Sequence, residues 1–282
     1  MAYAKLKAKN KSGTPLKYPL KLDTLFKLMF RKYQHLLQRL VADFLDIRYE
    51  DITDFVITNP EITPEELGKK FCRLDINMII NGQKVDLEVQ IIDEGNYPER
   101  SLFYWAKEFS TGINEGQDYK LLPRTIVISI LGFNQFPDPD KFHHEFQCLE
   151  ITTHQPLTDK MVLQFYELDK LPPLDGSEGE GKNLWLQLFN AETEEELAEI
   201  EKLGVSIMNE ALQAYRHVSA SDEFIVMERM RSKARHDEAQ ALSHAKQQER
   251  AERDNYWQSV MQGVTEENER LRQELAELRA NQ

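Results

Sequence analysis

Asn81-Gly82 lies between two strand-like runs, Phe71 to Ile80 and Val85 to Ile92. This dipeptide tolerates positive φ at both central residues of a type I′ turn, and the twist of that turn matches the strands it joins. A two-residue loop pairs Ile80 with Gln83, and register then dictates the rest: Asn77 faces Asp86, Asp75 faces Glu88 and Arg73 faces Gln90. Alternation collects Arg73, Asp75, Asn77, Asp86, Glu88 and Gln90 on one face, and Leu74, Ile76, Met78, Val85, Leu87 and Val89 on the other. One face reads as core and the other as a polar cluster. A three-residue loop would shift the register and separate Asp75 from Glu88.

The flanking segments change period. Between Asp23 and Leu45, apolar residues recur at helical spacing with a break around Arg31 to Tyr33, which predicts two helical pieces packed on a sheet. Asp23 precedes the first piece and reads as its N-cap. A short strand ends at Ile57. Helical spacing resumes from Tyr97 to Asn114, with Leu102, Phe103, Trp105, Ala106 and Phe109 forming its apolar surface. Thr125 to Leu131 is an uninterrupted β-rich run bounded by Pro123 and Gly132, as expected of a central strand covered on both faces. Phe142 to Ile151 and Met161 to Leu168 read as two more strands. His143 and His144 are adjacent on one of them and point to opposite faces, poor geometry for a shared metal. The order implies an α/β core, a mixed sheet flanked by helices.

The sequence organises as a basic leader (1–18), a core domain (19–171), an acidic flexible loop (172–182), a helical region (183–245) and a coiled coil (246–282). The leader, with Lys5, Lys7, Lys9, Lys11 and Lys17, reads as a solvated tail. In the last region Trp257, Met261, Val264, Asn268, Leu271, Leu275 and Leu278 alternate spacings of four and three, a heptad seam with one polar core position. A homo-oligomer through the C-terminal helices is the expected assembly; a single solvated helix is the competing reading. Cys72 and Cys148 form no CxxC pair and fit reduced, buried thiols.

A formal net charge of −13 excludes a protein that coats nucleic acid through a general positive field, so any such contact is local. The sequence has no run of about eighteen apolar residues and no secretory h-region, so the expectation is a cytoplasmic protein with no membrane partner.

Directly opposed carboxylates sit roughly 4.5–5.5 Å apart at Cβ and repel unless neutralised. A divalent cation at Asp75 and Glu88 would neutralise them, and a hard oxygen site suits Mg²⁺ or Mn²⁺, which can activate water against a phosphodiester. The alternative is a merely wet outer face in which Arg73 neutralises an acid.

Asp75, a hairpin and then Glu88-Val89-Gln90 resemble the D…(D/E)xK signature of restriction-endonuclease-like nucleases, with glutamine in the lysine position. More closely, Asp23-Thr24-Leu25-Phe26-Lys27-Leu28-Met29-Phe30, Arg73-Leu74-Asp75, Asp86-Leu87-Glu88-Val89-Gln90, and Arg100 through Tyr104-Trp105-Ala106-Lys107 are similar to the Rpn family of recombination-promoting nucleases, also described as PD-(D/E)xK-family transposases. The similarity runs from about Tyr18 to Leu168 and more weakly into the helical region. It implies a restriction-endonuclease-like core with an α-helical C-terminal extension. It also implies a Mg²⁺- or Mn²⁺-dependent DNA endonuclease linked to recombination, mobile elements or phage defence. In that reading Asp75 and Glu88 bind the metal, and Gln90 replaces the lysine that orients the attacking water. Lys27, Arg73, Arg100 and Tyr104 are candidate substrate-binding residues. The rival reading is a catalytically weak or inactive nuclease fold serving as a DNA- or protein-binding oligomeric module.

Overall fold

The computed structural model describes residues 13–59, 76–174 and 181–280. Helices α1 (Asp23–Lys32) and α2 (Gln34–Phe44) are divided at Tyr33, whose φ of −115° and ψ of 65° leave the helical region. They precede β1 (Phe55–Ile57), β2 (Ile76–Ile80) and β3 (Gln83–Gln90). Helix α3 (Tyr97–Ser110) leads to β4 (Thr125–Leu131), β5 (His143–Phe146) and β6 (Met161–Glu167). Four helices follow: α4 (Lys182–Asn190), α5 (Glu194–Lys202), α6 (Ser206–Ser219) and the 59-residue α7 (Asp222–Ala280).

Among the described residues the six strands form one sheet in the order β1-β2-β3-β4-β6-β5. Strands β3, β4 and β6 are parallel and the other neighbours antiparallel, so the sheet is mixed as expected. The hairpin register is the one the Asn-Gly turn dictates, from Ile80↔Gln83 through Asn77↔Asp86 to Ile76↔Leu87. Asn81 and Gly82 have φ of 47° and 71°, as a type I′ turn requires. The Asn81 side chain also accepts from the Thr53 amide at 2.9 Å and donates to the Asp51 carbonyl at 2.9 Å, fastening the approach to β1 onto the turn.

The sheet separates two apolar clusters. Val85, Leu87, Ile126, Ile128, Ile130, Val162 and Tyr166 join the larger one with α1, α2, α4, α5, α6 and the start of α7. Opposite, Tyr97 of α3 closes a smaller cluster with Val127, Leu131, Leu163 and Phe165. All seven residues of β4 are buried, as a central strand between two layers must be. Helix α3 packs through the stripe Tyr97, Ser101 and Trp105, whereas Leu102 and Phe103 are 46% and 64% exposed. The expectation that those two belong to its packing surface is corrected here: they fall beside the i, i+4, i+8 stripe that meets the sheet.

Two long-range attachments were invisible to local pattern. Asp23 is not the N-cap of α1; Leu22 holds that position without a side-chain cap. Asp23 instead accepts from Arg231 Nε and Arg235 Nη1, both at 3.2 Å, while Glu228 receives the Thr24 hydroxyl and the Arg235 guanidinium. This buried polar clamp joins the root of α7 to α1. Burial pushes the Glu228 carboxyl pKa up, against the opposing pull of Thr24 and Arg235. The described end of the basic leader is not a solvated tail either. Thr14 donates to Glu195 from its amide at 2.7 Å, Leu16 donates to the Glu192 carbonyl at 2.7 Å, and Pro15 bridges Thr193. Thr193 and Glu196 form the capping box that starts α5, so the leader docks where a helix is already fixed.

Cys148 is a free, half-buried thiol, and Cys72 lies outside the described residues. His143 stacks on Tyr166 at 4.4 Å and His144 packs on Phe136 at 4.3 Å, on opposite faces of β5 as alternation requires. No described helix is long and apolar enough to cross a membrane.

Candidate active site

The site is built on β3, whose two faces meet different surroundings. Its odd-numbered residues Val85 and Leu87 enter the larger core, which turns Asp86, Glu88 and Gln90 toward α3. Asp86 and Glu88 are only 4% and 6% exposed, so the reading of a merely wet outer face does not hold. Buried carboxylates carry a desolvation cost that polar partners must offset. The architecture that accepts this cost is specific: Glu88 lies beside Ser129 on the parallel neighbour β4, and both lie beneath Tyr97.

The Tyr97 hydroxyl is 2.7 Å from Glu88 Oε2 and 3.0 Å from Ser129 Oγ. Its single proton goes to the carboxylate, and the serine hydroxyl donates to the tyrosine oxygen. Burial, then the nearby negative charge of Glu88, pushes the phenol pKa well above its ordinary value of 10.0. Tyr97 therefore stays a proton donor throughout the neutral range. The six-residue connection Ile91 to Asn96 makes this geometry possible: Gly95 adopts φ 75° and donates its amide to Asp93 at 2.7 Å, turning the chain back so that α3 opens over β3.

Arg100 lies one turn beyond Tyr97, its guanidinium 4.7 Å from the phenol ring centroid. It pairs with Glu94, while Nε and Nη2 are buried and have no hydrogen-bond partner among the described residues. Gln90 continues the polar row toward the C-terminal end of β3, and its amide donates to the Ile92 carbonyl at 2.8 Å. Tyr104 is half-buried on the same side of α3 as Arg100, and Lys27 is buried in α1 at 2% exposure. Asp75 and Arg73 lie outside the described residues; Asp75 immediately precedes β2.

The strands thus bring Asp86, Glu88, Gln90 and Ser129 to one face, and α3 adds Tyr97 and Arg100. Sequence reasoning missed Tyr97 and Ser129 as site residues. The available signal was indirect: a tyrosine at a helix start one short loop after Glu88, and a lone hydroxyl within the apolar run Ile126 to Leu131.

Among the described residues no group of three or more His, Cys, Asp or Glu side chains is assembled for a metal ion. The donors present fit a hard divalent cation in kind, because Asp86 and Glu88 offer carboxylate oxygens and Ser129 a hydroxyl, with no sulfur or imidazole among them.

The family model for PD-(D/E)XK nuclease family transposases matches residues 20–245. The chain belongs to that family. The match spans the whole sheet, the helices α1 to α6 and the root of α7, and it supports a nuclease or transposase-like function acting on nucleic acid. PD-(D/E)XK nucleases generally use divalent metals, which agrees with the oxygen donors on β3. No curated protein and no solved structure matches the chain.

Proposed function

We propose that this PD-(D/E)XK family member is a metal-dependent endonuclease that hydrolyses DNA phosphodiester bonds in recombination, mobile-element movement or phage defence. It acts in the cytoplasm as a homo-oligomer joined through its C-terminal helices. The observation that carries the reading is the burial of Asp86 and Glu88 on β3, with Glu88 beneath Tyr97, in a chain of this family. Buried carboxylates carry a desolvation cost that specific partners must offset, and such groups concentrate at functional sites.

In this reading Asp75 and Glu88 hold Mg²⁺ or Mn²⁺. The chemistry supplied by the bound ion is Lewis-acid stabilisation of charge at the phosphodiester and a lowered pKa for water. Tyr97 fixes the rotamer of Glu88 through its 2.7 Å hydrogen bond, which keeps the carboxylate oriented without adding charge. Gln90, anchored through its Nε2 on the Ile92 carbonyl, uses its other end to accept a hydrogen bond from the attacking water. Water adds to phosphorus as the bond to the leaving oxygen breaks, giving a phosphomonoester and a free hydroxyl. Arg100, with Arg73 and Tyr104 as further contacts, offsets charge at the scissile phosphate.

The test is cleavage of supercoiled plasmid in Mg²⁺, Mn²⁺ or EDTA by the wild-type chain and by Asp75→Ala and Glu88→Ala at verified folding. The reading predicts metal-dependent nicking that both variants lose. Nicking that survives in both variants overturns the assignment of these acids. A folded wild-type chain that binds DNA and never cuts it overturns the nuclease in favour of the binding module.

A further inference from the structure

Beyond its clamped root, α7 continues to Ala280, past the end of the family match at residue 245. The last residue tied to α1 by a described ion pair is Arg235, and the apolar seam begins at Trp257, about 33 Å further along the axis. There Trp257, Met261, Val264, Leu271, Leu275 and Leu278 are 56%, 62%, 50%, 47%, 51% and 68% exposed. An apolar stripe of this length on an otherwise charged helix is expected to be covered.

The charges beside the stripe say by what. With Met261, Asn268 and Leu275 at a, and Trp257, Val264, Leu271 and Leu278 at d, Glu267 and Glu274 fall at g and Arg272 and Arg279 at e. In a parallel, in-register pair, each g residue faces the e residue five positions on in the other helix. Both such contacts are opposite in sign, Glu267 with Arg272 and Glu274 with Arg279. In an antiparallel pair, g meets g and e meets e, so glutamates would face glutamates and arginines would face arginines. Within the isolated helix exposed Arg270 lies 2.7 Å from Glu267 and 3.7 Å from Glu274, pairs that contribute little. Asn268, the single polar a residue, pairs with its own counterpart only in register. Gly263 falls at c, outside the seam, with nothing within 4 Å of the position its Cβ would take.

We infer that the tip of α7 is one strand of a parallel, in-register, two-stranded coiled coil with a second copy of this chain. Parallel pairing puts both nuclease cores at the same end of the rod, an arrangement in which two sites can address the two strands of one duplex. The inference rests on the homo-oligomer reading and sharpens it, and it does not depend on catalysis.

Sedimentation equilibrium of the full chain tests it without any activity readout. Wild type is expected at twice 33.0 kDa, and Leu271→Asp/Leu275→Asp at 33.0 kDa. Leu278→Cys is expected to give an interchain disulfide in a glutathione redox buffer that the wild type does not give. Glu267→Arg/Glu274→Arg is expected to weaken self-association by roughly tenfold, with recovery on mixing with Arg272→Glu/Arg279→Glu. A wild-type monomer at tens of micromolar overturns the oligomer together with the seam. A dimer that survives Leu271→Asp/Leu275→Asp overturns the seam. A dimer that lacks the Leu278→Cys bridge and is indifferent to the charge reversal overturns the parallel orientation alone.

Discussion

The two faces of β3 are shut off from solvent to nearly the same degree, yet they carry opposite chemistry. Val85 and Leu87, 2% and 0% exposed, meet aliphatic and aromatic side chains from the helices of the larger core. Asp86 and Glu88 are 4% and 6% exposed, and Glu88 meets the Tyr97 hydroxyl at the roof formed by α3. Burial stabilises the first pair through the hydrophobic effect, whereas at the second it carries a desolvation cost that polar partners must offset. Depth alone therefore does not distinguish a structural residue from a functional one; the chemistry of the surrounding groups does.

That contrast yields substitutions that should separate activity from stability. The largest effect is expected from Glu88→Ala: cleavage falls by roughly 1000-fold, equivalent to several kcal/mol of transition-state stabilisation, with the fold retained. Single-turnover cleavage and circular dichroism on one preparation check both halves. Leu87→Ala, one residue away, should do the reverse. It removes a fully buried side chain and costs roughly 2–5 kcal/mol in urea unfolding, while the fraction that remains folded cuts at close to the wild-type rate.

Tyr97→Phe lies between these extremes. It removes the hydroxyl that orients Glu88 and keeps the ring that packs on Phe165 and Phe133, so activity should fall by roughly 10–100-fold. The fall should appear in kcat and in the metal concentration for half-activity, with little change in KM for DNA.

The smallest effect concerns alkaline stability. The folded Tyr97 pKa is raised, so between its ordinary value of 10.0 and its folded value the native state binds more protons than the unfolded chain. The stabilisation is complete below pH 10 and is lost as pH rises above it. Tyr166 is raised chiefly by burial, and Tyr215 by burial to about 12, so they add to the same slope. Urea midpoints measured from pH 9 to 11 should decline, and less steeply in Tyr97→Phe than in wild type.

Much of this contrast was legible in the sequence because it is local. Asn81-Gly82 dictated the hairpin register, and two-residue alternation then put Asp86 and Glu88 opposite Val85 and Leu87. The division of α1 from α2 at Tyr33 and the burial of β4 were legible for the same reason, since each follows from the period of a short segment. The remainder depends on contacts between distant segments. Parallel pairing of β3 with β4 sets Ser129 beside Glu88, and no pattern within either strand announces it. Asp23 read as a helix cap because its partners Arg231 and Arg235 lie more than 200 residues away. Lys27, a candidate for phosphate contact by its charge, is buried in α1.

The most direct test of the account is Glu88→Gln, which keeps the shape and an acceptor for Tyr97 while removing the charge. Cleavage rate and melting temperature are measured on the same sample. The account predicts that cleavage is lost while the melting temperature falls far less than in Leu87→Ala, because glutamine keeps the volume and the acceptor for Tyr97. Cleavage at the wild-type rate, or a melting temperature lowered as far as in Leu87→Ala, would contradict it by showing that Glu88 serves the fold and not the chemistry.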